Sequence, residues 1–280
     1  MSLVELELRL ETPLFAGGHD PLKLDELWFL RPSGIKGVWR WWARALVAGA
    51  LYDAGQLEGQ AKSDILRAPT REEDSKIAEI VGIKMGLGYA GPQAKLSTAS
   101  KYSLVVDAIG SIDRYKRIYR GGPVQIRETR RIDLQRATLL ALGLEKSQGI
   151  EYLVPGARFQ LKVEEQLEAT KEAVEAALSA LSLALILSCF GKGGRRGLGC
   201  FEVRRARGRY AYLFDARVPI AERIWRGINA VRRLIGIKAV ESGQGSLPPL
   251  SSVSSRELAG GYKVCLLYTS PSPRDRQKSR

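Results

Sequence analysis

The chain has 280 residues, 45% hydrophobic and 26% charged, a globular composition that excludes disordered, collagenous and coiled-coil chains. Its 44 Lys and Arg against 30 Asp and Glu give a formal charge of +14, which calls for an anionic partner. Arginine supplies 29 of those 44 cations, and a planar guanidinium that forks onto phosphate and stacks on bases favours nucleic acid over a membrane surface. The apolar run 176–190 carries three serines and falls short of the roughly 20 residues of a membrane span. The N-terminus alternates acidic and apolar residues where a signal peptide has a basic head and an apolar block. The expectation is a soluble, cytoplasmic protein with no membrane partner. Cys189, Cys200 and Cys265 are too few and too scattered for a disulfide framework or a zinc site, and are expected to stay reduced, Cys189 as a small core residue.

In chain order, residues 3–11 alternate apolar and charged positions and predict a half-buried strand. Turn chemistry follows from Thr12 to Asp20, and residues 28–31 read as short and extended. Ser33 is an expected N-cap for a helix over 34–54, with Trp39, Trp42 and Leu46 spaced along an apolar face. Residues 56–100 read as an insertion with a short helix near 72–81. Strands are predicted at 102–109 and 157–165, a helix apolar on nearly every side at 167–188, and a strand at 200–205. Residues 221–237 form a further helix, and 241–256, rich in Ser, Gly and Pro, read as a linker.

Strand, helix, strand, strand, helix, strand is the order of an α+β, ferredoxin-like fold of the RNA-recognition-motif type. It is expected over residues 1–206, with insertions at about 55–100 and 110–155, and 207–264 begin a second, incomplete domain. The segment Cys265–Asp275 (CLLYTSPSPRD) looks like the in-frame translation of a sequencing adapter, so 265–280 are expected not to be native.

Three constellations could hold an anion. The loop 191–199 has Gly191, Gly193, Gly194, Gly197 and Gly199 interleaved with Lys192, Arg195 and Arg196. Glycines let backbone N–H groups approach a phosphate and the cations neutralise it, against the alternative of a plain flexible connector. It lacks the Gly-Lys-Ser/Thr ending of a nucleotide-binding P-loop, so ATP is disfavoured and no cofactor is expected. On the first helix Lys36, Arg40 and Arg44 recur every four residues, beside a helix start at Ser33–Gly37 whose N–H groups suit a phosphate. The alternative is a solvated face whose aliphatic stems cover tryptophan. Residues 114–136 hold Arg117, Arg120, Arg127, Arg130 and Arg131 among others, with Tyr115 and Tyr119 available to stack on unpaired bases.

Catalytic candidates are sparse. His19, the lone histidine, has no partner imidazole for paired acid–base work, and Asp20 and Asp25 alone are thin support for a metal or nuclease site. Neither a metal nor an enzymatic activity is expected.

Three segments taken together resemble the RAMP superfamily of CRISPR-associated proteins, and within it the first subunit of the Cmr module. They are the Thr12–Gly18 turn (TPLFAGG), the Arg31–Trp42 helix start (RPSGIKGVWRWW) and the late glycine-rich loop Phe190–Phe201 (FGKGGRRGLGCF), in order across residues 3–203. The resemblance implies a ferredoxin-like RNA-binding fold in a type III-B CRISPR ribonucleoprotein, with guide RNA, complementary target RNA and other Cmr subunits as partners. It implies a non-catalytic role near the 3′ end of the guide. Gly17, Gly18, Ser33, Lys36, Gly37, Arg40, Arg44, Gly191, Gly193, Arg195, Gly197 and Gly199 match the motif positions. Two rival readings are a metal-independent endoribonuclease that matures guide RNA with His19 as general acid or base, and a protein-binding scaffold.

Overall fold

A computed structural model describes residues 2–17, 19–20, 22–25, 29–58, 60–61, 68–90, 97–110, 115–119, 122–125, 131–132, 140, 148–238, 246–247 and 252–253. Its strands are β1 (Ser2–Leu10), β2 (Gln60–Ala61), β3 (Tyr102–Ala108), β4 (Tyr115–Tyr119), β5 (Val124–Gln125), β6 (Arg131–Ile132), β7 (Gly149–Leu153), β8 (Arg158–Glu165), β9 (Phe201–Arg207) and β10 (Ser246–Leu247). Its helices are α1 (Pro32–Asp53), α2 (Arg71–Glu79), α3 (Lys171–Leu187) and α4 (Ile220–Ile235). The result is an α+β fold on an antiparallel sheet. The four strands of the main sheet lie in the order β3-β8-β1-β9, with β1 antiparallel to both neighbours. Along the chain these strands alternate with α1 and α3 in the expected order.

The chain divides into two compact units. Unit one comprises Met1–Val38, Ser103–Glu164 and Ala184–Ala216. The period-two patterning decides its sheet: Val4, Leu6, Leu8 and Leu10 of β1, and Phe159, Leu161 and Val163 of β8, are buried, while the intervening residues carry charge or amide groups. A second core gathers Phe15, Ile118, Val124, Ile150, Tyr152, Val154 and Leu198. Ile118, Ile150 and Tyr152 of this core come from the antiparallel β4–β7 pair, whose register joins Tyr115 to Leu153 and Tyr119 to Gly149. Stretch 110–155, expected as an insertion, thus supplies part of a hydrophobic core. Tyr152 stacks tilted on Phe15 with ring centroids 5.2 Å apart, and its hydroxyl accepts the Gln125 N–H at 3.0 Å.

Unit two comprises Trp39–Tyr102, Glu165–Leu183 and Arg217–Arg280. Trp39 and Trp42 are buried, as their spacing predicts, and the Trp39 indole donates to the Ala177 carbonyl at 2.6 Å. The Ala- and Leu-rich part of α3 is buried within the chain itself. Gly227 of α4 sits where a Cβ would lie 2.9 Å from Leu46 Cδ1 and 3.5 Å from Ser179 Cβ, so its lack of a side chain lets α4 approach α1 and α3 closely. Asp53, fully buried, accepts from Arg232 Nη2 at 2.7 Å. Thr70 and Glu73 form a reciprocal capping box at the start of α2, which continues into a π-helical turn over Ile80–Lys84.

Two expectations need correction. Residues 241–256 are not simply a linker: Ser246–Leu247 pairs with Gln60–Ala61, and Val253 is buried, donating its N–H to the Ala45 carbonyl at 3.2 Å beside Gly49. Cys189 and Cys200, expected as thiols, are joined in a disulfide across an antiparallel bridge with Cα atoms 4.2 Å apart. Sequence distance concealed the pair, because the glycine-rich loop returns on itself and brings its two ends together.

Candidate nucleic-acid interface

The glycine-rich loop is folded tightly in place. Gly191, Gly193, Gly197 and Gly199 all have φ near +80°, a region that side-chain-bearing residues avoid, and a 3₁₀ turn (Gly194–Arg196) lies between them. A Cβ on Gly199 would lie 2.0 Å from the Phe190 carbonyl oxygen, and one on Gly194 2.5 Å from that of Cys189. The Phe190 N–H donates to Gly199 O at 2.8 Å, and the Cys200 N–H to Thr12 Oγ1 at 2.9 Å. These contacts argue against a flexible connector: at Gly191, Gly194 and Gly199 an added side chain would strike packed backbone.

This loop is laced to the Thr12–Asp20 turn. Lys192 donates its backbone N–H to the Phe15 carbonyl at 2.7 Å, and the two residues form an antiparallel bridge. Gly17 bridges to Leu24, and the Asp20 carboxylate accepts the Leu22 N–H at 2.8 Å. Glu151 of β7, 8% exposed, is the tie between this turn and the β4–β7 pair. Its Oε1 accepts from Arg117 Nε at 3.0 Å and Nη2 at 2.7 Å, its Oε2 accepts the Leu24 N–H at 3.1 Å, and its own N–H donates to Leu22 O. That hydrogen-bonded carboxylate holds the Arg117 guanidinium above its ordinary pKa. Partial burial lowers the Lys192 ammonium, opposed by the attraction of Asp20. Unit one therefore brings together Gly17, Lys192, Arg195, Arg117 and the glycine-loop backbone.

His19 is exposed in a bend beside Asp20. Asp25 is tied to Arg31, accepting at 3.0 and 2.5 Å, which fixes the approach to α1. Among the described residues no three His, Cys, Asp or Glu side chains cluster as a metal site. Ser33 is not the N-cap: the Arg31 carbonyl accepts from Gly34 and Ile35, so Arg31 is the cap and Pro32 is the first helical residue, where its missing N–H costs nothing. Ser33 and Gly37 are exposed in the first turns.

On α1 the expected basic row is present, but much of it is engaged. Arg40 forks onto the Leu87 carbonyl at 2.9 and 2.7 Å, Arg44 pairs with Asp74, and Lys36 is half-buried. The 56–100 segment contributes both of those partners, a role its composition did not disclose. Of the third cluster, Arg131 is exposed on β6 and Tyr119 is 45% exposed; Arg120, Arg127 and Arg130 lie outside the described residues, as do Gly18 and the side chain of Arg196. Sequence reading passed over Arg204, Arg205, Arg207 and Arg209, four arginines in six positions at the end of β9, because the strand pattern alone drew attention there.

Among described residues no helix is long and apolar enough to cross a membrane. No curated protein sequence matches the chain. Its structure is similar to one in the type III-B Cmr-beta complex bound to cognate target RNA and AMPPnP, with a TM-score of 0.50 and 14% identity, covering 87% of this chain and 65% of that one. Cmr1 from Pyrococcus furiosus in its apo form gives a TM-score of 0.49 at 19% identity, over 85% of this chain and 62% of the other. This chain thus spans less than two thirds of the length of either. Residues 7–202 match the RAMP superfamily, from within β1 through the glycine-rich loop and into β9, and the chain belongs to that superfamily.

Proposed function

We propose that this chain is a non-catalytic RNA-binding subunit of a type III-B CRISPR ribonucleoprotein, built on a ferredoxin-like domain, that contacts guide and target RNA near the 3′ end of the guide. The observation that carries this reading is the lacing of the glycine-rich loop to the Thr12–Asp20 turn, through Lys192 on Phe15 and through Glu151 on Leu22, Leu24 and Arg117. It presents Lys192, Arg195 and Arg117 from one rigid support, which suits backbone contacts to phosphate without reading sequence. The strand order β3-β8-β1-β9, equivalent to second, third, first, fourth in a strand-helix-strand-strand-helix-strand chain, supports the ferredoxin-like assignment. Other Cmr subunits are the proposed protein partners. Lys36 and Arg44 on α1 add a second basic row, Arg44 exchanging Asp74 for a phosphate.

The test is a fluorescence-anisotropy titration of single-stranded RNA at several salt concentrations. Replacing Lys192 and Arg195 by alanine is expected to weaken binding and to reduce the salt slope by about 1.4, since each phosphate neutralised on a single strand contributes roughly 0.7. An unchanged slope refutes the placement. Incubation of end-labelled RNA without divalent metal should leave it intact; discrete products that vanish in His19→Ala would make the protein a processing nuclease.

A further inference from the structure

Strand β9 is the edge of the main sheet. Its register with β1 slips: Glu7 faces Arg205, but Leu8 faces Val203, so Arg204 is the extra residue of a β-bulge. In a regular strand Arg204 and Arg205 would point to opposite faces. Here both are exposed, with side-chain exposures of 42% and 72%. Arg207 follows on the open face, opposite Glu5, and Arg209 stands over the Tyr210 ring at 5.5 Å. Acids pair with part of this charge and leave part of it open. Arg204 pairs with Glu202 at 2.9 Å and Glu11 at 3.5 Å, but Arg205 reaches Glu7 only at 3.9 Å, and among the described residues Arg207 and Arg209 have no ion pair.

Beside the bulge, the 3₁₀ turn Ala211–Phe214 closes an open cleft of about 350 Å³. Its lining includes Arg204, Arg205, Ala206, Tyr212, the buried Phe214 and Asp215. Tyr212 is 50% exposed, although its ring lies only 6.4 Å from that of the buried Tyr210. An aromatic ring held half-open at a cleft of small-ligand size, on an arginine-rich edge where, among the described residues, Arg207 and Arg209 stand outside any ion pair, is a combination that suits an unstacked base and its phosphates. An acidic polypeptide would need only the edge and the charge, and would leave the aromatic cleft without a role.

We infer that this cleft is a second RNA site: one splayed nucleotide of a single strand places its base against Tyr212, with its flanking phosphates on Arg205 and Arg207. The inference rests on the RNA-binding reading above, but uses none of the residues of the glycine-rich loop or α1.

The full chain is to be irradiated with single-stranded RNA carrying 4-thiouridine, and the cross-linked peptides mapped by mass spectrometry. In parallel, affinity is measured against salt for Tyr212→Ala, Arg205→Gln/Arg207→Gln and Arg205→Lys/Arg207→Lys, with circular dichroism confirming the fold. The expected result is a cross-link in the 210–214 peptide that Tyr212→Ala removes. The Gln pair should weaken binding about tenfold and lower the salt slope by about 1.4, and the Lys pair should restore the slope. Wild-type RNA affinity in the Tyr212 and Gln variants, with cross-links confined elsewhere, overturns the cleft and leaves the RNA reading standing. Absence of RNA binding by the wild-type chain overturns both. Saturable binding of polyglutamate that the Gln pair abolishes, with no RNA cross-link at 210–214, assigns the cleft to an acidic protein and overturns the inference.

Discussion

Gly197 and Gly199 separate two costs that usually come together. Both have φ close to +80° and both belong to one loop, but a Cβ on Gly197 meets nothing within 4 Å, whereas one on Gly199 would lie 2.0 Å from Phe190 O and 2.9 Å from Leu14 Cδ1. Gly197→Ala should therefore cost only the left-handed backbone penalty, about 1–2 kcal/mol. Gly199→Ala adds displacement of the Phe190 backbone and loss of the hydrogen bond between the Phe190 N–H and Gly199 O, for a total of about 3–6 kcal/mol. At roughly 2–4 °C per kcal/mol for a chain of this size, the thermal midpoint should fall about 2–8 °C for the first and clearly more for the second. Urea unfolding followed by circular dichroism supplies the free energies. Equal losses in the two variants would refute the packed-loop reasoning and return the loop to the status of a connector.

Lys192 gives a pH signature. Burial lowers its ammonium below the ordinary 10.5, so between that depressed value and 10.5 the unfolded chain holds more protons than the folded one, and stability rises with pH across that window. Lys192→Met should flatten the rise, and RNA affinity should fall over the same window because phosphate favours the charged form; pH-resolved melting and anisotropy test both. Burial raises the Tyr152 phenol above its ordinary 10.0, so the stability it contributes is present below that value and lost at higher pH. Tyr152→Phe should blunt that alkaline loss and, by stranding the Gln125 N–H, cost about 1–3 kcal/mol in urea unfolding at neutral pH. Asp53→Ala leaves Arg232, 13% exposed, without its carboxylate and should cost about 3–5 kcal/mol by the same measurement.

Periodicity made the sheet and helices legible. Alternation in Val4–Leu10 and Phe159–Val163 and the Trp39/Trp42 spacing each reflect burial on one face, a local property of the chain. What stayed hidden depends on distant partners. Nothing local in Arg40 or Arg44 foretells the Leu87 carbonyl or Asp74, and nothing in Cys189 foretells Cys200 beside it. The Ser33 cap failed because a proline one residue earlier already satisfies the first helical position. The glycine loop was visible as composition, but composition could not distinguish backbone freedom from backbone crowding. Arg204 and Arg205 were missed for a related reason: a bulge is a relation between two strands, and β9 alone reads as regular.

The arginine-rich edge also bears on solubility. An unpaired strand offers its free N–H and C=O groups to any other strand, including a second copy of the same chain. The bulge at Arg204 twists that edge away from regular pairing, and like charges on Arg205, Arg207 and Arg209 repel an identical neighbour. Neutral β-branched residues at these positions would keep the sheet's own hydrogen bonds and remove its guard, so self-association would precede any loss of fold. The features proposed to fit this edge to a polyanion are the same ones that oppose its pairing with an identical edge.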